Sequence, residues 1–405
     1  MIPTLLRAIG RSIQDLAQLR SDWAWHARFA GADFPPRLHR AIKQAKLLRT
    51  SAIDAQDYYR YGLYRRDMPF REKSAFLGKY RSYRYYRRIN PLQYELFNRD
   101  KVLMHLLAAP LGVPMVPVLA STGRTGDPYM AEFLADAHAL RTFLLRPGSQ
   151  HLFLKPVDGT LGEGALALGE RLGDGRSWRR VPGSGSIDVD EVVAHTLDRN
   201  GQMRRFLVQP RVAPHPDLAR IVPDVLHTLR VGTLVHGGRV HLIGAGLRMG
   251  SGSVPVDDFT IPGGLSIPLD PLTGELGAGV EMIGELQRVC TQHPVSRVPF
   301  LGTVLPFWRE ALAAVEDGAR KFSFLPLLSW DVGIAAHGPI ITEFNTRSRW
   351  TSVQTAIGKG LLSGQLGEAM IAHRGLAASG LRYTPQIVHG IRCTAAVQTR
   401  GSRTE

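Results

Sequence analysis

Apolar residues return every three to four positions at the start of the chain, at Ile2, Leu5, Leu6, Ile9, Ile13 and Leu16. That spacing predicts an amphipathic helix, and helical character is expected to about residue 57. A further helix is predicted in "NRDKVLMHLLAAPLGVP", residues 98–114, with Asn98 or Asp100 near its cap and an end at Pro110 or Gly112. Downstream, two-residue alternation takes over. "VPVLAS" reads as a short strand, "HLFLKPVDGTLGEGALAL" as strand, glycine-rich loop and strand, "RSWRRVPGSGS" as a polar loop or edge hairpin, and "RFLVQPRV" as another strand. "HTLRVGTLVHGGRVHLIGAGLRM" predicts a hairpin around Gly237-Gly238. "WREALAAVEDGARKF" predicts a helix, "SWDVGIAAHGPIITEFNTRS" a second hairpin, and a helix follows from about Val353. Helices mixed with antiparallel strands predict an α+β chain rather than a doubly wound sheet.

Composition narrows the class. A chain of 405 residues is expected to form two or three compact units. No apolar run is long enough to span a bilayer. Arg7, Arg11, Gln14 and Asp15 interrupt the first helix, so it does not read as a signal peptide. It is expected to dock on its own domain, with peripheral membrane contact as the open alternative. The two cysteines, Cys290 and Cys393, make neither a disulfide framework nor a metal-ligand spacing, and read as free thiols of a cytoplasmic protein.

Charge is unevenly placed. Residues 58–88 hold ten Lys/Arg against Asp67 and Glu72, so they carry +8 of the chain's net +15. The same stretch holds eight of the eleven tyrosines. It reads first as a solvated helical face whose tyrosines pack on a neighbour. An anionic substrate, an anionic membrane surface or a polyanion such as RNA are its other readings.

Two stretches carry candidate chemistry. In "FLKPVDGTLGEGA" a strand-end lysine, Lys155, precedes a loop whose glycines let backbone N–H groups approach phosphate oxygens. It is not a Walker loop, because the lysine comes first. In the second hairpin, Glu343 and Asn345 share a strand face. With a turn centred on His337, Asp331 lies directly across from Glu343. Two opposed carboxylates repel, so a cation is expected between them. Oxygen ligands without His or Cys select Mg²⁺ or Mn²⁺.

The order of these pieces resembles the ATP-grasp superfamily, and within it the sugar-transfer-associated branch. The resemblance runs over roughly residues 58–365 and rests on "YYRYGLY", "NRDK", "FLKPVDGTLGEGA", "LVQPRVAPHPDL", "HTLRVGT", "RMGSGSVPVDDFTIPGGLSIPLDPLTGELG" and "SWDVGIAAHGPIITEFN". It implies two α+β subdomains clasping ATP. Lys101 and Lys155 match the lysines that hold ATP phosphates, and Gly159, Thr160, Gly162 and Gly164 match the phosphate-covering loop. Gln209, Pro210 and Val212 match the adenine-reading hinge, with Pro210 and Gln209 as departures. Asp217 is the candidate for the ribose hydroxyls. Asp331, Glu343 and Asn345 match the metal ligands. Ser329 and Phe344 stand where this branch usually has glycine, and Asp258 where it usually has asparagine. Arg230 and Arg248 match arginines that would hold an acyl-acceptor carboxylate and then an acyl phosphate.

The expected organisation is a helical Tyr/Arg-rich region over 1–97, a first subdomain over 98–212, a second over 213–375 and a basic tail over 376–405. The expected activity is an ADP-forming carboxylate–amine ligase using ATP and Mg²⁺ or Mn²⁺. Its partners would be small-molecule carboxylates and amines of anionic character, met near Arg84, Arg87 and Arg88, with no nucleic acid. A kinase of the same fold acting on a sugar-type hydroxyl, and a non-catalytic polyanion-binding protein, are the alternatives. Oligomeric state is left open.

Overall fold

The structure, a computed structural model, describes residues 20–29, 34–123, 132–159 and 162–363, together with Gly367. The segment holding the first predicted helix (2–16), Thr160 and the basic tail with Cys393 lie outside the described residues.

The N-terminal region folds as α1 (Arg37–Ser51), α2 (Ala55–Arg60), α3 (Phe70–Ser74) and α4 (Lys79–Ile89). A 3-10 turn at Leu92–Asn98 leads into α5 (Lys101–Ala108). This helix is shorter than its sequence pattern predicts. It starts at Lys101 because the Asp100 carboxylate accepts from the Val102 and Leu103 amides, which would otherwise lack partners.

The first sheet holds β1 (Ala120–Thr122), β2 (Glu132–Leu134), β3 (Leu152–Pro156), β4 (Leu166–Arg171), β5 (Ser177–Val181), β6 (Ser186–Asp188) and β7 (Phe206–Pro210), in the order β2-β1-β7-β3-β4-β5-β6. Helices α6 (Ala137–Leu145) and α7 (Val189–His195) cover one face of it. Along β3, Leu152 and Leu154 enter that core, while Phe153 and Lys155 turn to the opposite face.

After the short helix α8 (Pro216–Ala219) comes the second sheet. It holds β8 (Thr228–His236), β9 (Arg239–Met249), β10 (Leu265–Ile267), β11 (Gly279–Ile283) and β12 (Leu286–Cys290). Helix α9 (Trp308–Lys321) precedes its last strands, β13 (Leu327–Ala335) and β14 (Gly338–Asn345), and α10 (Thr351–Ile357) ends the described fold. The order is β12-β11-β10-β9-β8-β13-β14, with every pairing antiparallel. Among the strands described, β1 and β2 alone pair in parallel, and an isolated parallel bridge joins Met115 to Ile341. The α+β expectation is met.

The second sheet carries the largest core. Leu229, Val231, Trp330, Val332 and Phe344 pack with Ala311, Val315 and Phe322 beneath it. Its other face is partly roofed by α10 and α4, through Trp350, Val353, Tyr85 and Tyr86. Glycines make that roof fit. A Cβ on Gly232 would stand 2.3 Å from the Trp350 ring, and one on Gly244 would stand 2.8 Å from Val353. The unroofed remainder of this face and the Lys155 face of the first sheet enclose a cavity of about 520 Å³.

Candidate active site

The floor of the cavity is a ladder of side chains across four strands. Direct register partners line up Gly246, Arg230, Asp331 and Glu343 in one row, on β9, β8, β13 and β14. The next row is Gly244, Gly232, Ser329 and Asn345. Directly opposed residues share a face, so the charges of the first row meet one another. The hairpin turn is not centred on His337: Ala335 pairs with Gly338 and Val332 with Ile341. A bulge at Thr342 then shifts the register so that Glu343 opposes Asp331. The same shift lets Ile341 and Phe344, three residues apart, point into one core. Phe344 is fully buried, 4.7 Å from the Phe322 ring and 5.5 Å from that of Trp330, facing away from the cavity.

A cation does sit against the opposed carboxylates, and it belongs to the chain. Arg230 grips both oxygens of Asp331, with Nη2 donating to Oδ2 at 3.0 Å, and donates from Nη1 to Ser348 Oγ at 2.9 Å. Arg248 stands 3.4 Å from Asp331 Oδ1 and 3.4 Å from Asp257 Oδ1, and donates from Nη2 to Thr228 Oγ1 at 2.6 Å. Burial pulls Arg230 below the usual arginine range, with Asp331 opposing. Burial likewise pushes Asp257 up, countered by Arg248 and Thr228. The repulsion that made a metal seem necessary to the fold is therefore offset by two guanidiniums.

The donor set nevertheless fits a hard cation. Among the described residues, the side chains of Glu343 and Asn345 make no hydrogen bond or ion pair, and both line the cavity. Asp331 keeps a second lone pair on Oδ2, whose one hydrogen bond among the described residues is from Arg230. Among the described residues no group of three or more His, Cys, Asp or Glu is placed to hold a metal ion, so a cation here would depend on Asn345 beside Asp331 and Glu343.

Above this floor lie the lysines. Lys101 Nζ donates to Gly159 O at 2.6 Å and to Val157 O at 3.3 Å, and so fastens the start of the glycine-rich loop. Lys155 Nζ reaches Thr342 O, at the bulge, at 3.4 Å. Burial depresses its ammonium to about 8; Glu343 and Asp331 pull it back up and Lys101 pushes it down. Gly162 has φ +72°, and a Cβ there would come within 2.7 Å of Val256. The glycine-rich loop thus touches the 250–263 loop of the second sheet across the cavity.

Four residues of the expected hinge form the other end. Gln209, Pro210, Arg211 and Val212 line the cavity beside Phe153, Ala167 and Val116. The Gln209 amide donates to Val116 O at 2.9 Å, which fixes its side chain within the protein.

The model of the family described as sugar-transfer associated ATP-grasp matches residues 80–367. The chain belongs to this ATP-grasp family. Its fold is the ATP-grasp fold, with a helical N-terminal region added. Solved structures similar to this ATP-grasp chain include a phosphoribosylamine–glycine ligase from Thermotoga maritima (11% identity, TM-score 0.42, covering 73% of this chain and 61% of that one). A biotin carboxylase from Campylobacter jejuni (14%, 0.37, 71% and 47%) and an L-amino acid ligase from Bacillus licheniformis (13%, 0.32, 63% and 42%) are similar as well. The chain spans less than two thirds of the length of each. No curated protein matches it in sequence.

Of the residues singled out in this ATP-grasp sequence, Lys101, Lys155, Gly159, Gly162, Gln209, Pro210, Val212, Arg230, Arg248, Asp331, Glu343 and Asn345 border one cavity. Gly164 and Asp217 do not. Gly164 is tied down by His195, whose Nε2–H donates to its carbonyl at 2.8 Å. Asp217 sits on α8, accepts from Arg220 at 2.9 Å and lies 3.6 Å from His215 Nδ1. Asp258 lines the cavity with its carboxylate accepting from the Thr260 amide and hydroxyl, both at 2.8 Å. His293 does not line it: its Nε2–H donates to Gly250 O at 3.1 Å and anchors the 250–263 loop.

Sequence reasoning missed one wall of the cavity. Arg60, Tyr83, Arg347, Ser348 and Arg349 line it, whereas Arg84, Arg87 and Arg88 do not. Arg87 pairs instead with Glu95 at 3.2 Å on the surface. A signal for part of this wall was available. In "NTRSRW" the alternation of the preceding strand continues, with Thr346, Ser348 and Trp350 buried and Arg347 and Arg349 less so.

Proposed function

We propose that the chain is an ATP-dependent carboxylate–amine ligase that releases ADP. The observation that carries the reading is the meeting of Lys101, Lys155 and the glycine-rich loop with the Arg230–Asp331–Glu343 row and Asn345 around one cavity between the two sheets.

Lys101 and Lys155 hold the phosphates as point charges, and the loop's amides cover them. Gln209, Pro210 and Val212 border the adenine. Glu343 and Asn345, with Asp331, would hold Mg²⁺, which when bound neutralises charge on the phosphate oxygens. Arg248 and Arg230 orient the substrate carboxylate toward the γ-phosphate. One carboxylate oxygen bonds to that phosphorus while its bond to the bridging oxygen breaks, and ADP leaves. The amine nitrogen then attacks the acyl carbon, phosphate leaves, and the nitrogen loses a proton to give the amide. The reaction needs position and charge stabilisation rather than a side-chain nucleophile.

The test is ADP release by the full-length protein with Mg²⁺ and ATP, screened over amino acids paired with amines, with product masses measured. A product whose mass is the sum of acid and amine less water supports the ligase reading. A product heavier by a phosphoryl group shows a kinase instead. Glu343→Ala is expected to lower ADP release at least 100-fold; full retention would remove Glu343 from the metal site.

A further inference from the structure

Among the described residues, every arginine lining the cavity except Arg349 pairs with a carboxylate: Arg60 with Glu285, Arg211 with Asp224, Arg347 with Glu95, and Arg230 and Arg248 with Asp331. Arg349 has only the Tyr83 hydroxyl, to which its Nε donates at 3.0 Å. Both terminal guanidinium nitrogens are left without a partner among the described residues. Asp57 acts on Arg349 through space, but that carboxylate is buried and accepts from the Lys79 amide at 2.9 Å.

The arrangement around Arg349 is built. Tyr83, from α4, is held between two arginines: the Arg347 guanidinium lies 4.3 Å from its ring centre, and Arg347 is itself tied to Glu95 at 3.4 Å. Arg349 follows Asn345 by four residues, so the two lie at most about 13 Å apart. The subsite therefore opens on the same cavity as Glu343 and Asn345, within about one small-molecule length of them. A guanidinium with a free planar fork suits a two-oxygen anion, and a neighbouring phenol can donate a further hydrogen bond.

We propose that Arg349, with Tyr83 and Arg347 positioning it, binds a carboxylate or phosphate group carried by the non-nucleotide substrate at a point remote from the reacting group. This rests on the ligase reading, in which Lys101 and Lys155 take the nucleotide phosphates, and it adds that the co-substrate is itself an anion. The N-terminal helices, through Tyr83, are thereby part of the substrate site.

The experiment uses the full-length protein saturated with Mg²⁺ and the ATP analogue AMP-PNP, titrated calorimetrically with inorganic phosphate and, separately, with succinate. At least one anion is expected to bind the wild type. That binding should weaken at least ten-fold in Arg349→Ala and less in Arg349→Lys, while AMP-PNP affinity stays within two-fold. A preference for phosphate or for succinate tells a phosphorylated co-substrate from a carboxylated one. No anion binding to the wild type, or equal binding to wild type and Arg349→Ala, overturns the proposal. AMP-PNP is also titrated alone. If it fails to bind the wild type, the nucleotide reading falls, and the anion titrations on nucleotide-free protein still decide Arg349.

Discussion

Arg230 on β8 and Asp331 on β13 face each other as direct register partners, and the guanidinium grips both carboxylate oxygens. On its other side Asp331 faces Glu343. One strand thus carries an acid between a cation and a second acid. Arg230→Ala leaves two opposed carboxylates beside each other in a buried row. It is expected to cost about 3–5 kcal/mol, read from urea unfolding. The double variant Arg230→Ala/Asp331→Ala should recover part of that loss. A double variant no more stable than the single would mean that the pair is not coupled.

Lys155 gives a pH signature. Burial lowers its folded pKa to about 8, below the 10.5 of an exposed lysine, so the fold favours the neutral amine. Below about pH 8 both folded and unfolded chains hold the proton and the penalty is fully present. As pH rises from about 8 to 10.5 the folded state releases its proton first, and stability gains. Lys155→Met should lack that gain. The wild-type-minus-variant difference in unfolding free energy should therefore rise across this window, and a flat difference would contradict the assignment.

Phe344 belongs to the core beneath the sheet rather than to the site. Its ring lies against Phe322 and Trp330. Phe344→Ala is expected to destabilise by about 3–5 kcal/mol and to leave AMP-PNP affinity unchanged at temperatures where the variant is folded. A large affinity loss with little change in Tm would reverse this.

Gly232 is fixed by the tryptophan above it. A methyl group there would lie 2.3 Å from the Trp350 ring, which stacks on Tyr86 at 5.7 Å between centres. Gly232→Ala must displace Trp350, at about 1–3 kcal/mol. Tryptophan emission should shift to the red along with the lowered Tm; unchanged emission and stability would mean that the roof yields without cost.

Legibility in the sequence followed how local each feature is. Lys155 with its glycine loop, the cap at Asp100, and the acids on one hairpin are all set by neighbours a few residues away, where strand alternation and capping act. That is why the α+β class and the two hairpins could be read from the chain, and why most of the residues singled out in it border the cavity. Asp217 shows the limit: sequence spacing brought it near the hinge, but the direction of a four-residue helix is set by packing, and its carboxylate turned to Arg220.

What only the tertiary structure decided was who meets whom across strands and between regions. Arg230 and Asp331 are 101 residues apart, and Tyr83 and Arg349 are 266 apart. No periodicity along the chain encodes such encounters. The bulge at Thr342 is the sharpest case: the sequence placed Asp331 opposite Glu343 from a turn centre that proved wrong, and one extra residue in β14 restored the pairing. Local alternation determined which residues could face the cavity. Burial of Phe344 and Ile341 in a single core, by choosing the register, determined that the acids did.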